Sequence, residues 1–200
     1  MKKLVYLISP NKIDINFYDD LKKVLAFKNV KFFQLRCKKI KKNKIINIAK
    51  KIRKISKKYN VKLIINDHPD ISKITNADGC HLGQNDISII HARKYLKKKI
   101  IGLTCHNSKS LAKIAVKNKA DYLAFGSFYN SKLKPKAKKS NLNILKWAKK
   151  NIKKPIVAIG GINDSNYKKI IKSGAKYIAI SSFIWDNPNL KPEIAIRKFK

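Results

Sequence analysis

Four aspartates crowd one stretch of this chain, LIINDHPDISKITNADGCHLGQND at residues 63–86. Asp67, Asp70, Asp78 and Asp86 stand there in a sequence with 48 lysines and arginines against 11 acidic residues. Carboxylates are ligands for hard cations, and Mg2+ needs only one or two of them when substrate phosphates complete its shell. Asp67 and Asp86, each just past a predicted strand and backed by Asn66 and Gln84, fit that use. The competing use is helix capping, by Asp67 for the helix after it and by Asp86 for one beginning near Ser88. We take the metal reading for this pair. Asp70 reads as a cap, and Asp78 as the residue before a turn glycine.

Anion-binding groups accompany the pair. Arg36 and Lys38 come from QLRCK, and Lys134 from FGSFYNSKLKP. The arginine carries more weight, because Arg36, Arg53, Arg93 and Arg197 are the only arginines among the 48 basic residues. A cation between two carboxylates, flanked by Arg and Lys, can hold a diphosphate. AIGGI and ISS offer a second anion site. Gly160 and Gly161 follow one strand, Ser181 and Ser182 the next, and backbone amides there can cradle a phosphate. Two anion sites predict two phosphorylated small-molecule substrates, or one bisphosphate.

These residues need a scaffold that brings strand ends together. Apolar strand patterns occur at 4–9, 31–36, 62–67, 79–83, 99–105, 122–127, 155–161 and 177–181. Amphipathic helical patterns fall at 15–28, 42–59, 88–97, 108–119, 140–151, 163–173 and 183–199, and the connection at 70–76 has room for a turn or two. Near-continuous apolar strands alternating with helices predict a parallel sheet covered on both faces. Eight such units predict an α/β fold closed as a (β/α)8 TIM barrel, small and short-looped. The polar residues named above then gather at the C-terminal rim, where barrels build active sites, together with Thr104 and His106 after the fifth strand.

With 200 residues and no composition break, one domain spanning 1–200 is expected. The net charge of +37 suggests nucleic acid, but the excess is almost all lysine, spread over helical faces. We expect no specific nucleic-acid partner, self-repulsion, and stability that improves with salt. No run of about 18 uncharged apolar residues is present, so no membrane partner is expected. MKKLVYLIS reads as a first buried strand rather than a signal peptide, which predicts the cytoplasm. Cys37, Cys80 and Cys105 lack zinc-site spacing, even with His81 and His106 beside two of them, and read as buried thiols.

YLIS, FFQLRCK, LIINDHPDIS, ADGCHLGQND, IIGLTCHN, ADYLAFGSFYNSKLK, PIVAIGGI and GAKYIAISSFIW, in this order, resemble the thiamine phosphate synthase family over nearly the whole chain. The resemblance implies a (β/α)8 barrel, possessing Mg2+ and acting as a homodimer. It also implies a transferase that joins a hydroxymethylpyrimidine diphosphate to a thiazole phosphate, the diphosphate leaving first. Gln34 would bond the aminopyrimidine, and Arg36, Lys38, Asn66, Thr104 and Lys134 would hold the diphosphate. Asp67 and Asp86 would bind Mg2+, and Ser131, Gly160, Gly161 and Ser182 the thiazole phosphate.

The match departs at four places. Cys37 stands where the family commonly has Glu, His68 where Asp or Arg is usual, and Thr104 for a serine. SKLK at 131–134 replaces a Thr-x-Thr-Lys pattern, so Leu133 lacks a hydroxyl, which predicts weaker thiazole binding. His106 raises the related thiazole tautomerase as an alternative, although such paralogues lack the paired aspartates.

Overall fold

The computed structural model describes residues 4–38, 40–130 and 139–200. Eight parallel strands close into a barrel in sequence order. They are β1 Val5–Ile8, β2 Val30–Leu35, β3 Lys62–Asn66, β4 Gly79–Leu82, β5 Ile100–His106, β6 Tyr122–Gly126, β7 Ile156–Ile159 and β8 Tyr177–Ile180. The helices between them are α1 Phe17–Ala26, α2 Lys42–Lys58, α3 Pro69–Ile74, α4 Ile89–Leu96, α5 Lys109–Lys117, α6 Asn143–Asn151 and α7 Tyr167–Lys172.

Strand periodicity sorts the side chains into two cores. Val5, Leu7, Phe33, Leu63, Ile65, Ile101 and Leu123 face outward into the layer beneath the helices. Tyr6, Ile8, Phe32, Ile64, Tyr122, Val157 and Tyr177 fill the barrel itself. Each helix meets the outer layer with one apolar stripe. In α2 the stripe is Ile45, Ile48, Ala49 and Ile52, with lysines around the rest of the circumference. Ile52 is wholly buried, so Ile52→Ala should cost about 2–5 kcal/mol.

The long pattern at 183–199 is broken into α8 Ser182–Trp185, α9 Pro192–Ala195 and a 3-10 turn at Ile196–Lys198. Pro188 and Pro192 are the reason, since each disfavours helical backbone at the residue before it. Helices α6 and α7 begin later than the patterns at 140–151 and 163–173. The Asn141 side chain accepts from the Asn143 amide at 2.9 Å, and that of Asn163 from the Ser165 amide at 3.1 Å, holding turns there instead.

The four aspartates separate in space. Asp78 lies at the opposite end of the barrel from Asp67 and Asp86. There it pairs with Arg53 and Lys62, both at 3.1 Å, and accepts the Leu63 amide at 2.9 Å. Asp70 sits in the first turn of α3 without capping it, and pairs with Lys42 at 2.8 Å. Both are structural. Among the described residues no helix is long and apolar enough to cross a membrane.

Candidate active site

A cavity of about 1020 Å3 opens at the C-terminal ends of the strands. Gln34, Arg36, Lys38, Asn66, Asp67, Asp86, Thr104, Gly160, Gly161, Ser181 and Ser182 all line it. Ser131, Leu133 and Lys134 lie outside the described residues. The fold therefore gathers every candidate that it describes into one site.

Neither Asp67 nor Asp86 caps a helix. The residue preceding α3 is His68, and the cap of α4 is Ser88, whose side chain accepts from the His91 amide. Asp67 instead leaves β3 in a left-handed turn with φ 63°, its amide bonded to the His81 carbonyl at 2.9 Å. Such a backbone is uncommon outside glycine and better tolerated by Asp than by most residues. Asp86 accepts the Gly83 amide at 2.7 Å, which fixes its loop after β4. The two carboxyls meet. Burial first, then a hydrogen bond and charge repulsion from Asp86, push the Asp67 carboxyl above its usual range, while Lys38 and His68 oppose this. Two facing carboxylates are a donor set for a hard cation. Among the described residues no three or more His, Cys, Asp or Glu are grouped to hold a metal unaided. A divalent ion here would thus need further oxygens from water or a phosphorylated ligand, which suits Mg2+.

Arg36 ends the adjacent strand. Burial pulls its guanidinium below the usual range, and Asp67 opposes that pull. Lys38 is exposed at the mouth. On the far side, Gly160 and Gly161 have φ 106° and 61°. A Cβ on Gly160 would sit 1.9 Å from Ser127 Oγ, and one on Gly161 2.2 Å from the Asn130 carbonyl oxygen. These glycines therefore also let the segment after β6 fold over β7. Ser181 donates its hydroxyl proton to the Ser9 carbonyl at 3.0 Å, helping to close β8 against β1. Ser182, half-buried, is the more available hydroxyl of the two.

Beneath the rim runs a hydrogen-bonded chain that sequence reasoning missed. Gln34 Nε2 donates to Tyr6 Oη at 3.0 Å, and Tyr6 Oη lies 2.7 Å from Tyr122 Oη. His81 places Nδ1 2.9 Å from Tyr122 Oη and Nε2 2.9 Å from Thr104 Oγ1. Gln84 bonds the Thr104 carbonyl. The available signal was alternation, which puts Tyr6, His81 and Tyr122 on inward faces near rim residues.

Cys80 and Cys105 are buried in the strand–helix layer, whereas His81 lies on the opposite face of its strand. Cys37 departs from the expected burial and is only half-buried. His106 is exposed at the cavity mouth.

The family model described as thiamine monophosphate synthase matches residues 5–184. A thiamine-phosphate synthase of Pelagibacter ubique is 59% identical over 201 residues, covering 100% of this chain and 97% of that protein. The namesake from Clostridium acetobutylicum is 35% identical, covering 96% and 92% respectively. Among solved structures, a thiamine phosphate pyrophosphorylase from Pyrococcus furiosus superposes with TM-score 0.87 at 27% identity, over 98% of this chain and 93% of that one. A 3-hexulose-6-phosphate synthase at 16% identity and TM-score 0.71 shares the fold. By the reach of the model match and the identity of these relatives, the chain belongs to the thiamine monophosphate synthase family.

Proposed function

We propose that this chain is a thiamine-phosphate synthase. It couples 4-amino-2-methyl-5-(diphosphooxymethyl)pyrimidine with 4-methyl-5-(2-phosphoethyl)thiazole, giving thiamine phosphate and diphosphate. The observation that carries this reading is the meeting of the Asp67 and Asp86 carboxyls beside Arg36 in one cavity. Carboxylates at an anion site would repel phosphate unless a cation lay between them.

In this reading Asp67 and Asp86 hold Mg2+, which when bound supplies Lewis-acid stabilisation of charge on the departing diphosphate. Arg36 and Lys38 neutralise the same charge, with Asn66 and Thr104 as hydrogen-bond donors. Lys134 and Ser131 belong to the same proposal from sequence alone. Partial burial of Arg36 strengthens its pull on an anion, because less water competes. The C–O bond to diphosphate breaks first, and the thiazole nitrogen then forms the C–N bond to the pyrimidine-methyl cation. Gln34 orients the pyrimidine, while Gly160, Gly161, Ser181 and Ser182 hold the thiazole phosphate. No protein nucleophile is needed, and burial raises the Cys37 thiol to about 11, unsuited to attack near neutral pH. The proposal includes one catalytic domain, 1–200, working on diffusible substrates in the cytoplasm. A tautomerase built on His106 has no use for the paired carboxylates.

The test is formation of thiamine phosphate from the two substrates by purified protein, with Mg2+ and with EDTA. Metal-dependent product is expected. No product from folded protein given both substrates and Mg2+ would overturn the assignment.

A further inference from the structure

Gln34 and Thr104 are the two ends of one hydrogen-bonded relay, and its direction decides what each end offers a ligand. Gln34 is 3% exposed, Tyr6 2% and Tyr122 1%, so their polar atoms depend chiefly on one another. Tyr6 Oη accepts from Gln34 Nε2, so its own proton must go to Tyr122 Oη. Were Tyr122 to donate to Tyr6 instead, the Tyr6 proton would be buried without an acceptor. Tyr122 therefore donates to His81 Nδ1, and His81 Nε2–H donates to Thr104 Oγ1. With Gln34 Nε2 as the first donor, the two tyrosine hydroxyl protons and the His81 ring proton each find an acceptor in this direction. The Gln34 carbonyl oxygen is left to accept from the cavity, and the Thr104 hydroxyl proton is left to donate into it.

Run the other way, the same side chains would present an amide donor at Gln34 and lone pairs at Thr104. The barrel has made room for the connection. His81 on β4, Gly102 on β5 and Tyr122 on β6 are register neighbours. A Cβ on Gly102 would fall 1.9 Å from Tyr122 Cζ, so only glycine lets the tyrosine lean across β5. Its ring then stacks on His81 with centroids 5.6 Å apart and planes 14° apart. Burial holds both tyrosine hydroxyls well above the usual phenol range, so both remain donors.

We propose that Tyr6, Tyr122 and His81 are positioning residues that set the polarity of Gln34 and Thr104 together. They present an acceptor for an amino group at one end and a donor for an anionic oxygen at the other. This rests on the reading of the site given under Proposed function, whose pyrimidine substrate carries both an amino group and a diphosphate.

Two measurements decide it. In protein labelled with 15N-histidine, which has four histidines, NMR should find His81 as the Nε2–H tautomer, its signal identified by its shift in Tyr122→Phe. Steady-state kinetics of Tyr122→Phe and Tyr6→Phe should show the KM for the pyrimidine diphosphate raised about tenfold, as for a lost polar contact, and the KM for the thiazole phosphate changed less than twofold. An Nδ1–H tautomer, or two KM values that stay put or rise together, would overturn the relay. If wild-type protein makes no product, the substrate assignment fails instead, and the tautomer still judges the relay without any turnover. Tyr6→Phe keeps the kinetic arm alive should Tyr122→Phe fold poorly.

Discussion

Asp67→Asn should move stability and activity in opposite directions. With no divalent ion, burial and the neighbouring Asp86 hold the Asp67 carboxyl above its usual range. At pH 7.5 the fold thus carries an ionised group that it disfavours, at about 1.4 kcal/mol for each unit by which the value is raised. Asparagine has nearly the same shape, carries no charge and can donate to Asp86. In EDTA the variant should melt higher, by about 2–4 °C for each kcal/mol recovered in a chain of this size. The sign follows from linkage. The penalty exists above the folded value and disappears below about pH 4, where the carboxyl is protonated in both states. Activity should fall, because half of the proposed metal carboxylates is gone. Loss of one electrostatic contact to a developing charge is worth about 10²–10³ in rate, or about 2.7–4 kcal/mol. Mg2+ with inorganic diphosphate should raise the wild-type melting temperature and leave the variant nearly unmoved. Melting scans in EDTA and a fluorescence assay of thiamine phosphate read the two arms. A lower melting temperature in EDTA, or kcat/KM within threefold of wild type, would refute the reasoning.

Three other outcomes follow from the same structure. Salt should stabilise the protein, because its net charge is +37 while only six ion pairs join the described residues. Raising NaCl from 10 to 150 mM shortens the screening length from about 30 to about 8 Å, and a melting temperature that stays flat or falls would contradict this. The thiols should be sluggish at pH 8. With Cys37 raised to about 11 and Cys105 to about 12, fewer than about one in a hundred of either is thiolate, so rapid native labelling by a disulfide reagent would count against the burial. Arg93→Lys should cost about 2–3 kcal/mol in urea unfolding. The guanidinium spans the carbonyls of Lys97, Lys99 and Lys119 and the Asp121 carboxylate, which one ammonium cannot reach together, and a loss under about 0.5 kcal/mol would contradict that.

The rarity of arginine in this sequence was a usable signal, and the structure gives it a wider meaning. Arg36 faces the cavity, but Arg53 and Arg93 clasp carbonyls and aspartates that tie the other end of the barrel. In Arg53 and Arg93 it is the several donors of one guanidinium that are used, so the scarce arginines serve the fold as well as the cavity. The strands were legible because apolar runs with glycine and polar residues at their ends encode a covered parallel sheet directly. Helix ends were less so, since Asn141, Asn163, Pro188 and Pro192 act through local turn chemistry that periodicity does not record. The relay was hidden for a different reason. Alternation says that Tyr6, His81 and Tyr122 point inward, but barrel stagger decides which inward groups meet. His81 sits beside Gly102, and Gly102 beside Tyr122, only once the register is fixed. In the sequence Gly102 is one glycine in an apolar strand. In the barrel it is the gap through which a tyrosine reaches a histidine, and so links the two ends of the candidate site.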